Sequence, residues 1–110
     1  MIKRANFLFI EQQDDGYLLY MTPELQDDIG TVGFVEFVDA DELEVGDPIL
    51  NLEASKTVLE VEAPLAGKII AKNDHLNSEP ALLNAADKNE NWIVKLTDVD
   101  SSAFAELEDE

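Results

Sequence analysis

Short β-rich segments separated by turns run through most of the chain, and this spacing limits the folds that it can adopt. Strands are predicted over residues 6–10, 17–21, 33–38, 49–53, 58–63, 68–72 and 92–97. Apolar and acidic side chains alternate in residues 58–63, which indicates a strand with one face in the core and one in water. Strands this short, with glycine and proline in the turns between them, favour a sandwich or barrel.

Only short helices fit between the predicted strands. Thr22 is a good N-cap, Pro23 suits the first helical position and Gly30 suits the stop, so a helix is predicted over residues 23–29. A second short helix is predicted within residues 101–108, followed by a solvated acidic tail. The acidic segment 39–44 is predicted to be a turn, and residues 73–91 a polar loop with one helical turn near 80–84.

Length and charge narrow the class of protein. The 110 residues suffice for one domain, residues 1–110, and are too few for two. Seven Lys and Arg against 25 Asp and Glu give a net charge of −18. Such a surface repels nucleic acid and anionic membranes and favours basic partner surfaces. No apolar run has the length of a signal peptide or a membrane span, so we expect a cytoplasmic monomer.

The sequence contains little that could build an active site. It has no cysteine, which excludes disulfides, thiol nucleophiles and cysteine-based metal sites. The single histidine, His75, lies in a polar loop without a recognisable catalytic partner. The acidic clusters lack the spacing of a calcium loop, and there is no glycine-rich phosphate loop. We therefore expect a protein that is not an enzyme and holds no metal ion.

Lys56 is the residue best placed for modification. It lies between two predicted strands, at or beside the tip of a hairpin, and its neighbours Ser55 and Thr57 are small. Glu53 and Glu60 surround it with negative charge. A long side chain on a protruding turn would let a modifying enzyme reach the ε-amine, although exposed lysines at turns are also common without any function.

The segment around Lys56 resembles the attachment region of lipoyl and biotinyl carriers. In that superfamily a glycine-containing turn precedes the lysine hairpin and a Pro-x-x-Gly turn follows it; Gly46 and residues 64–67 match these positions. Glu53 matches an acidic residue that lipoyl carriers typically have three positions before the lysine. Biotin carriers usually have methionine on both sides of the lysine, and its absence here disfavours biotin.

The resemblance narrows to the glycine cleavage system H-protein family. The similarity covers about residues 6–97, and its matching positions are residues 21–30, 33–38 and 64–70, then Asn73, Leu76, Pro80, Leu83, Asn84 and Trp92. Typical members have Glu-Ser-Val-Lys-Ala where this chain has Glu-Ala-Ser-Lys-Thr, and their terminal regions are longer. The chain is therefore most similar to diverged, H-like members of the family.

The resemblance implies a fold and a function. The fold would be a lipoyl-domain-like barrel-sandwich hybrid of short antiparallel strands. Lys56 would carry amide-linked lipoate as a swinging arm that shuttles intermediates or redox equivalents between enzymes. Glu53, Gly46 and Gly67 would contribute to recognition by a lipoate–protein ligase or lipoyltransferase. Further partners would be dihydrolipoamide dehydrogenase and the glycine cleavage enzymes, or a sirtuin-type ADP-ribosyltransferase and a macrodomain protein.

Two other hypotheses stay open at this point. In the diverged group the carrier can be regulated by ADP-ribosylation, and Asp27 and Asp28 are candidate acceptors because they lie at the end of the predicted helix. Acidic pairs are also expected on so acidic a chain without any special role. The alternative from another class is an acidic protein-interaction module that is never lipoylated.

Overall fold

Two antiparallel sheets, one of seven strands and one of three, form the computed structural model, which describes residues 1–110. The strands are Ile2–Ala5 (β1), Leu8–Gln13 (β2), Gly16–Met21 (β3), Val32–Phe37 (β4), Glu42–Leu43 (β5), Pro48–Ala54 (β6), Val58–Glu62 (β7), Gly67–Lys72 (β8), Trp92–Thr97 (β9) and Glu108–Asp109 (β10). The larger sheet has the order β10-β1-β2-β3-β9-β8-β5, and the smaller has the order β4-β6-β7. The predicted mainly β fold of short antiparallel strands is confirmed.

The helices are short. They are Pro23–Ile29 (α1), His75–Ser78 (α2), Lys88–Asn91 (α3) and Ser101–Ala105 (α4), with a 3-10 helix at Pro80–Asn84. Helix α1 has the predicted bounds because its end signals are local: the Thr22 side chain accepts a hydrogen bond from the Leu25 N–H, and Pro23 opens the helix. Gly30 ends it with φ 77°. None of the helices is long and apolar enough to cross a membrane.

The core lies where apolar side chains from both sheets and α1 meet. Alternate positions of β2 and β6, among them Ile10 and Leu50, are fully buried. Leu25 and Ile29 are one helical turn apart, so both face the core from the same side of α1. This packing holds α1 against the body of the protein, and the C-terminal end of α1 lies beside the candidate functional site.

The first predicted strand was placed wrongly. Residues 6–10 were predicted as one strand, but Asn6 and Phe7 form a two-residue turn with φ of 52° and 66°. This turn joins β1 to β2, with Ala5 and Leu8 paired across it. The apolar run that begins at Phe7 suggested a continuous strand, and no glycine marked the turn.

Three further predictions need correction. Segment 39–44 is not only a turn, because it contains β5, which pairs with β8. Residues 73–91 hold α2, the 3-10 helix and α3 rather than one helical turn in a loop. The acidic tail is not simply solvated: α4 ends at Ala105 and residues 108–109 form β10, which pairs with β1. Because β1 and β10 lie at opposite ends of the chain, no local sequence pattern indicates that they pair.

Candidate functional site

Lys56 lies at the exposed tip of the hairpin between β6 and β7. The two strands pair up to Glu53 and Val58, and the Ala54 N–H donates to the Thr57 carbonyl at 2.9 Å to close the turn. Ser55 and Lys56 occupy the end of the turn and are exposed. The fold therefore presents the Lys56 side chain to solvent on a well-defined loop.

The tip of this hairpin packs against the end of α1. The Lys56 N–H donates to the Ile29 carbonyl at 3.0 Å, and the Ser55 N–H donates to the Thr31 carbonyl at 2.8 Å. In return the Thr31 N–H donates to the Ser55 hydroxyl oxygen at 3.0 Å. These bonds join segments far apart in the sequence, so they fix the lysine backbone relative to the core.

Gly30 makes this contact possible. A β-carbon at Gly30 would lie 2.2 Å from the Ser55 Oγ and 3.2 Å from the Lys56 Cγ. Its φ of 77° also lies in the left-handed region that favours glycine. The sequence indicates Gly30 only as a helix stop, because no local pattern shows that the hairpin tip packs on it.

The ε-amine of Lys56 is held by a single backbone oxygen. Lys56 Nζ donates to the Asp27 carbonyl at 2.9 Å, in the last turn of α1, where the helix dipole favours a cation. Five of the seven basic side chains form salt bridges, and only Lys56 and Lys72 do not. Releasing the amine therefore breaks one exposed hydrogen bond, worth about 1 kcal/mol, and no ion pair.

A cleft of about 450 Å³ lies beside the hairpin tip, between α1, β7 and the turn that joins β1 to β2. Its apolar walls are Phe7, Leu25, Ile29, Leu59 and Val61, and its polar residues are Asn6, Asp28, Thr57, Glu60 and Glu62. Thr57 directly follows Lys56 in the chain. The cleft is therefore within reach of a group attached to the lysine, and its walls suit a hydrocarbon chain.

The three predicted recognition residues lie in different parts of the fold. Glu53 is exposed in β6, three positions from Lys56 and across from Phe34 of β4. Gly46 lies in the turn before β6. Its φ of 90° is in the left-handed region, which explains why a glycine occupies this position. Gly67 begins β8 of the larger sheet, where a β-carbon would lie 2.9 Å from the Thr97 carbonyl oxygen. Close packing on β9 thus accounts for Gly67 as a structural residue.

Asp27 and Asp28 lie beside Lys56. Both are exposed in the last turn of α1. The backbone carbonyl of Asp27 accepts the Lys56 amine, and Asp28 lines the cleft. The structure thus brings the two candidate acceptors and the candidate attachment lysine to one place.

The groups with shifted pKa values lie elsewhere, on the seven-stranded sheet. Hydrogen bonds from Gln13 and Lys88 lower the pKa of Glu11 in β2. A hydrogen bond from Lys95 lowers the pKa of Asp15, in the turn after β2. Burial raises the pKa of Tyr20 to about 12, and the charge of Glu11 adds to this shift. No His, Cys, Asp and Glu side chains gather in a group of three that could hold a metal ion.

The sequence matches known proteins of one family. The family model of the glycine cleavage H-protein matches residues 2–110. The chain is 54% identical over 107 residues to the glycine cleavage system H-like protein of Staphylococcus aureus, covering 97% of each chain. It is 36% identical over 100 residues to the glycine cleavage system H protein of Listeria innocua, covering 90% of this chain and 80% of that protein.

The fold agrees with the sequence relatives. A crystal structure of a glycine cleavage system H protein from Mycobacterium marinum superposes with a TM-score of 0.75, covering 94% of this chain and 93% of the other. Its sequence identity is 19%, so this likeness concerns the fold alone. The predicted resemblance, including the likeness to an H-like protein, is confirmed: the chain belongs to the glycine cleavage H-protein family.

Proposed function

We propose that this protein is a lipoyl carrier without catalytic activity of its own and that Lys56 is its attachment point. The observation that carries the proposal is the placement of Lys56. Its side chain is exposed at a hairpin tip, its amine is held by one backbone carbonyl, and an apolar cleft lies beside it. Membership of the H-protein family supports the same assignment.

The residues around Lys56 fit a lipoyl group. Ala54, Ser55 and Thr57 are small, so they leave room for the active site of a modifying enzyme. When bound as an amide, lipoate supplies a dithiolane on a long flexible arm, which exchanges electrons or reaction intermediates with partner enzymes. The contacts of the tip with Ile29 and Thr31 hold the base of the arm in place, and the apolar walls of the cleft bind its hydrocarbon part and exclude water.

The partners follow from this role. A lipoate–protein ligase or lipoyltransferase would load Lys56, with Glu53 as the contact nearest the lysine and Gly46 and Gly67 shaping the surface that it meets. Glycine cleavage enzymes and dihydrolipoamide dehydrogenase would then use the arm. The net charge of −18 favours encounter with basic surfaces on these enzymes. In this role the protein would act as a cytoplasmic monomer.

A second role, regulation by ADP-ribosylation, is favoured by one specific observation. Asp27 and Asp28 are exposed and adjoin Lys56, so a group on either would stand beside the loaded arm. We propose that a sirtuin-type ADP-ribosyltransferase transfers ADP-ribose from NAD to one of these carboxylates, which releases nicotinamide and forms an ester, and that a macrodomain protein hydrolyses this ester. Modification at this place would block access of partner enzymes to Lys56.

The intact mass of the protein tests the carrier function. After incubation with lipoate, ATP and a lipoate ligase, we expect one lipoyl increment on the wild type and none on Lys56→Arg. Lys72→Arg is the matched control, because Lys72 is the other basic residue without a salt bridge, and we expect it to be loaded like the wild type. A folded wild type that no ligase loads would leave the acidic interaction module as the better interpretation of the fold.

The same measurement tests the neighbouring residues. If Glu53 contacts the ligase, Glu53→Gln should slow loading about tenfold, the value of one charged hydrogen bond.

For the regulatory role, lipoylated protein is incubated with NAD and a sirtuin-type ADP-ribosyltransferase. We expect an ADP-ribose increment that Asp27→Asn or Asp28→Asn removes; no increment on the wild type, or one that survives in the double variant, contradicts the assignment.

A further inference from the structure

The backbone that holds the hairpin tip is hydrogen-bonded on two sides. Residues 30–32 lead from the end of α1 into β4 and are called the α1–β4 segment below. Thr31, in its middle, exchanges two hydrogen bonds with Ser55 of the hairpin tip. Its two neighbours, Gly30 and Val32, bond instead to the side chain of Asn84. The hairpin tip and Asn84 thus hold alternate residues of the same short segment.

Asn84 bonds to both residues that flank Thr31. Its Oδ1 accepts from the Val32 N–H at 2.8 Å, and its Nδ2 donates to the Gly30 carbonyl at 2.8 Å. A side-chain amide carries one acceptor and one donor group, so it can satisfy both backbone groups at once. An aspartate would keep the acceptor but would place a carboxylate beside the Gly30 carbonyl. The geometry therefore uses both ends of an asparagine side chain.

The backbone around Asn84 is itself fixed to α1. Asn84 is the last residue of the 3-10 helix, and the carbonyls of its neighbours Leu83 and Ala85 accept from the Gln26 side chain of α1 at 2.8 Å and 2.7 Å. The Ala85 carbonyl also accepts from the buried Asn91 amide at 2.8 Å. Leu83 is fully buried in the core. The Asn84 side chain therefore extends from a backbone that hydrogen bonds and packing hold in place.

We propose that Asn84 is a positioning residue for the modification of Lys56: its amide fixes the α1–β4 segment, and this segment fixes the hairpin tip. The inference rests on the proposed lipoylation of Lys56. Asn84 acts through the two bonds between Thr31 and Ser55. The bond from the Lys56 N–H to the Ile29 carbonyl lies directly beside them, so a shift of the segment also loosens the lysine backbone.

Loss of the amide should affect binding of the modifying enzyme more than the chemical step. Val32 is buried, so its N–H has no access to water that could replace Asn84 Oδ1. The α1–β4 segment would then adopt several conformations, and the hairpin tip would follow it. An enzyme that binds the tip must order it first, and this cost opposes binding. The KM for the carrier should rise, whereas kcat should change little.

Steady-state lipoylation tests the proposal. A lipoate ligase loads wild type, Asn84→Ala and Asn84→Asp at varied carrier concentrations, and intact mass gives the rates. We expect a KM about tenfold higher in both variants, with kcat within about twofold of the wild type. Asn73→Ala is the matched control: the buried Asn73 amide also forms two hydrogen bonds, to the carbonyls of Glu90 and Trp92, but none to the α1–β4 segment. It should lose stability and keep the wild-type KM.

A double variant shows whether Asn84 acts through the hairpin contact. Ser55→Ala removes the hydroxyl that accepts from the Thr31 N–H. If both side chains act on the α1–β4 segment, the KM increase in the double variant is smaller than the product of the two single increases. Independent effects that multiply would contradict the proposed route.

Hydrogen exchange provides a readout without the ligase. The amides of Ser55 and Lys56 donate to backbone carbonyls, and their exchange reports how often the tip separates from α1. We expect about tenfold faster exchange of both amides in the two Asn84 variants and an unchanged rate in Asn73→Ala. Asn84→Asp keeps the acceptor for the Val32 N–H, so it remains a test if Asn84→Ala does not fold.

The outcomes separate the two proposals. A wild-type KM in folded Asn84→Asp, with lipoyl present on both proteins, would overturn the role of Asn84 and leave the carrier function intact. An equal increase in KM in Asn73→Ala would also overturn it, because general loss of stability would then be the cause. Failure to load the folded wild type at all would contradict the carrier function, and with it the assignment of Asn84 to a modification reaction.

Discussion

Gly30 combines two functions at one position, because it ends α1 and leaves the space in which the lysine tip packs. Its φ of 77° suits the helix stop, and its missing side chain admits Ser55 Oγ and Lys56 Cγ. The position of Lys56 thus depends on a residue that carries no chemistry. At the residue scale, the site consists of backbone geometry as much as of functional groups.

Gly30→Ala is expected to destabilise the protein and slow the proposed lipoylation of Lys56. The new β-carbon meets Ser55 Oγ and the left-handed backbone becomes strained, so we expect a loss of about 1–3 kcal/mol in the free energy of unfolding. Urea denaturation and the loading rate measure the two effects. Gly33→Ala is the control, since a β-carbon at Gly33 would have no other atom within 4 Å. An equal loss in both variants would show that the contact with Ser55 is not the cause.

Local signals made some residues of the site predictable and long-range contacts hid others. Lys56 at a hairpin tip follows from the two flanking β-rich segments, and Thr22 and Pro23 mark the start of α1 within a few residues. The bond from Lys56 Nζ to the Asp27 carbonyl joins residues 29 apart in the chain. No pattern in the sequence indicates such a contact, so the docking of the tip on α1 could be found only in the structure.

At the scale of elements, β10 shows how two residues at the end of the chain contribute to the fold. It pairs with β1, placing Lys3 opposite Asp109 and Arg4 opposite Glu108. Lys3 is buried, and its Nζ donates to the Asp109 carboxylate at 2.6 Å. The acidic tail therefore neutralises a cation that the sheet removes from water.

Asp109→Asn is expected to lower the free energy of unfolding by about 1–2 kcal/mol. The Lys3 ammonium would lose its only charged partner while still buried, but the loss is moderated because Asp109 itself is exposed to solvent. Glu106→Gln removes an equal charge from an exposed residue without a salt bridge and should have little effect. Urea denaturation measures the free energy of unfolding of the two variants. An equal loss in Asp109→Asn and Glu106→Gln would contradict a specific role for the ion pair between β1 and β10.

The elements between β8 and β9 were missed for a related reason. Residues 73–91 are rich in polar side chains and therefore suggested a loop. Asn73 and Asn91 are nevertheless buried, and their side-chain amides donate to backbone carbonyls of Glu90, Trp92 and Ala85. These bonds connect the C-terminal end of α3 to the residues that precede α2 and follow the 3-10 helix, and only the folded chain shows which polar residues are buried.

At the scale of the whole molecule, the net charge of −18 bears on the stability of the fold. The chain has 25 acidic residues against seven basic ones, and most of its five salt bridges are at least partly exposed and individually weak. We therefore expect long-range repulsion among the carboxylates to lower the free energy of unfolding by more than the salt bridges raise it.

Added salt should stabilise the protein. Screening of the repulsion between about 0.01 M and 0.15 M salt is expected to raise the melting temperature by roughly 5 °C. Calorimetry in NaCl and in KCl at equal ionic strength measures the effect, and agreement between the two salts distinguishes screening from binding of a particular ion. A melting temperature that falls with salt would mean that the salt bridges dominate after all.

The pairing of β1 with β10 also has a consequence for the order of folding. Lys3 and Asp109 are 106 residues apart, whereas α1, β4, β6 and β7 all lie within residues 23–62. Contacts between distant residues form slowly because closing a long loop is entropically unfavourable. On a ribosome, the lysine hairpin and the helix that it packs on can thus assemble while the C-terminal residues are still being synthesised. The larger sheet, which carries the Asn6–Phe7 turn, gains its outermost strand β10 only after residues 108–109 have emerged.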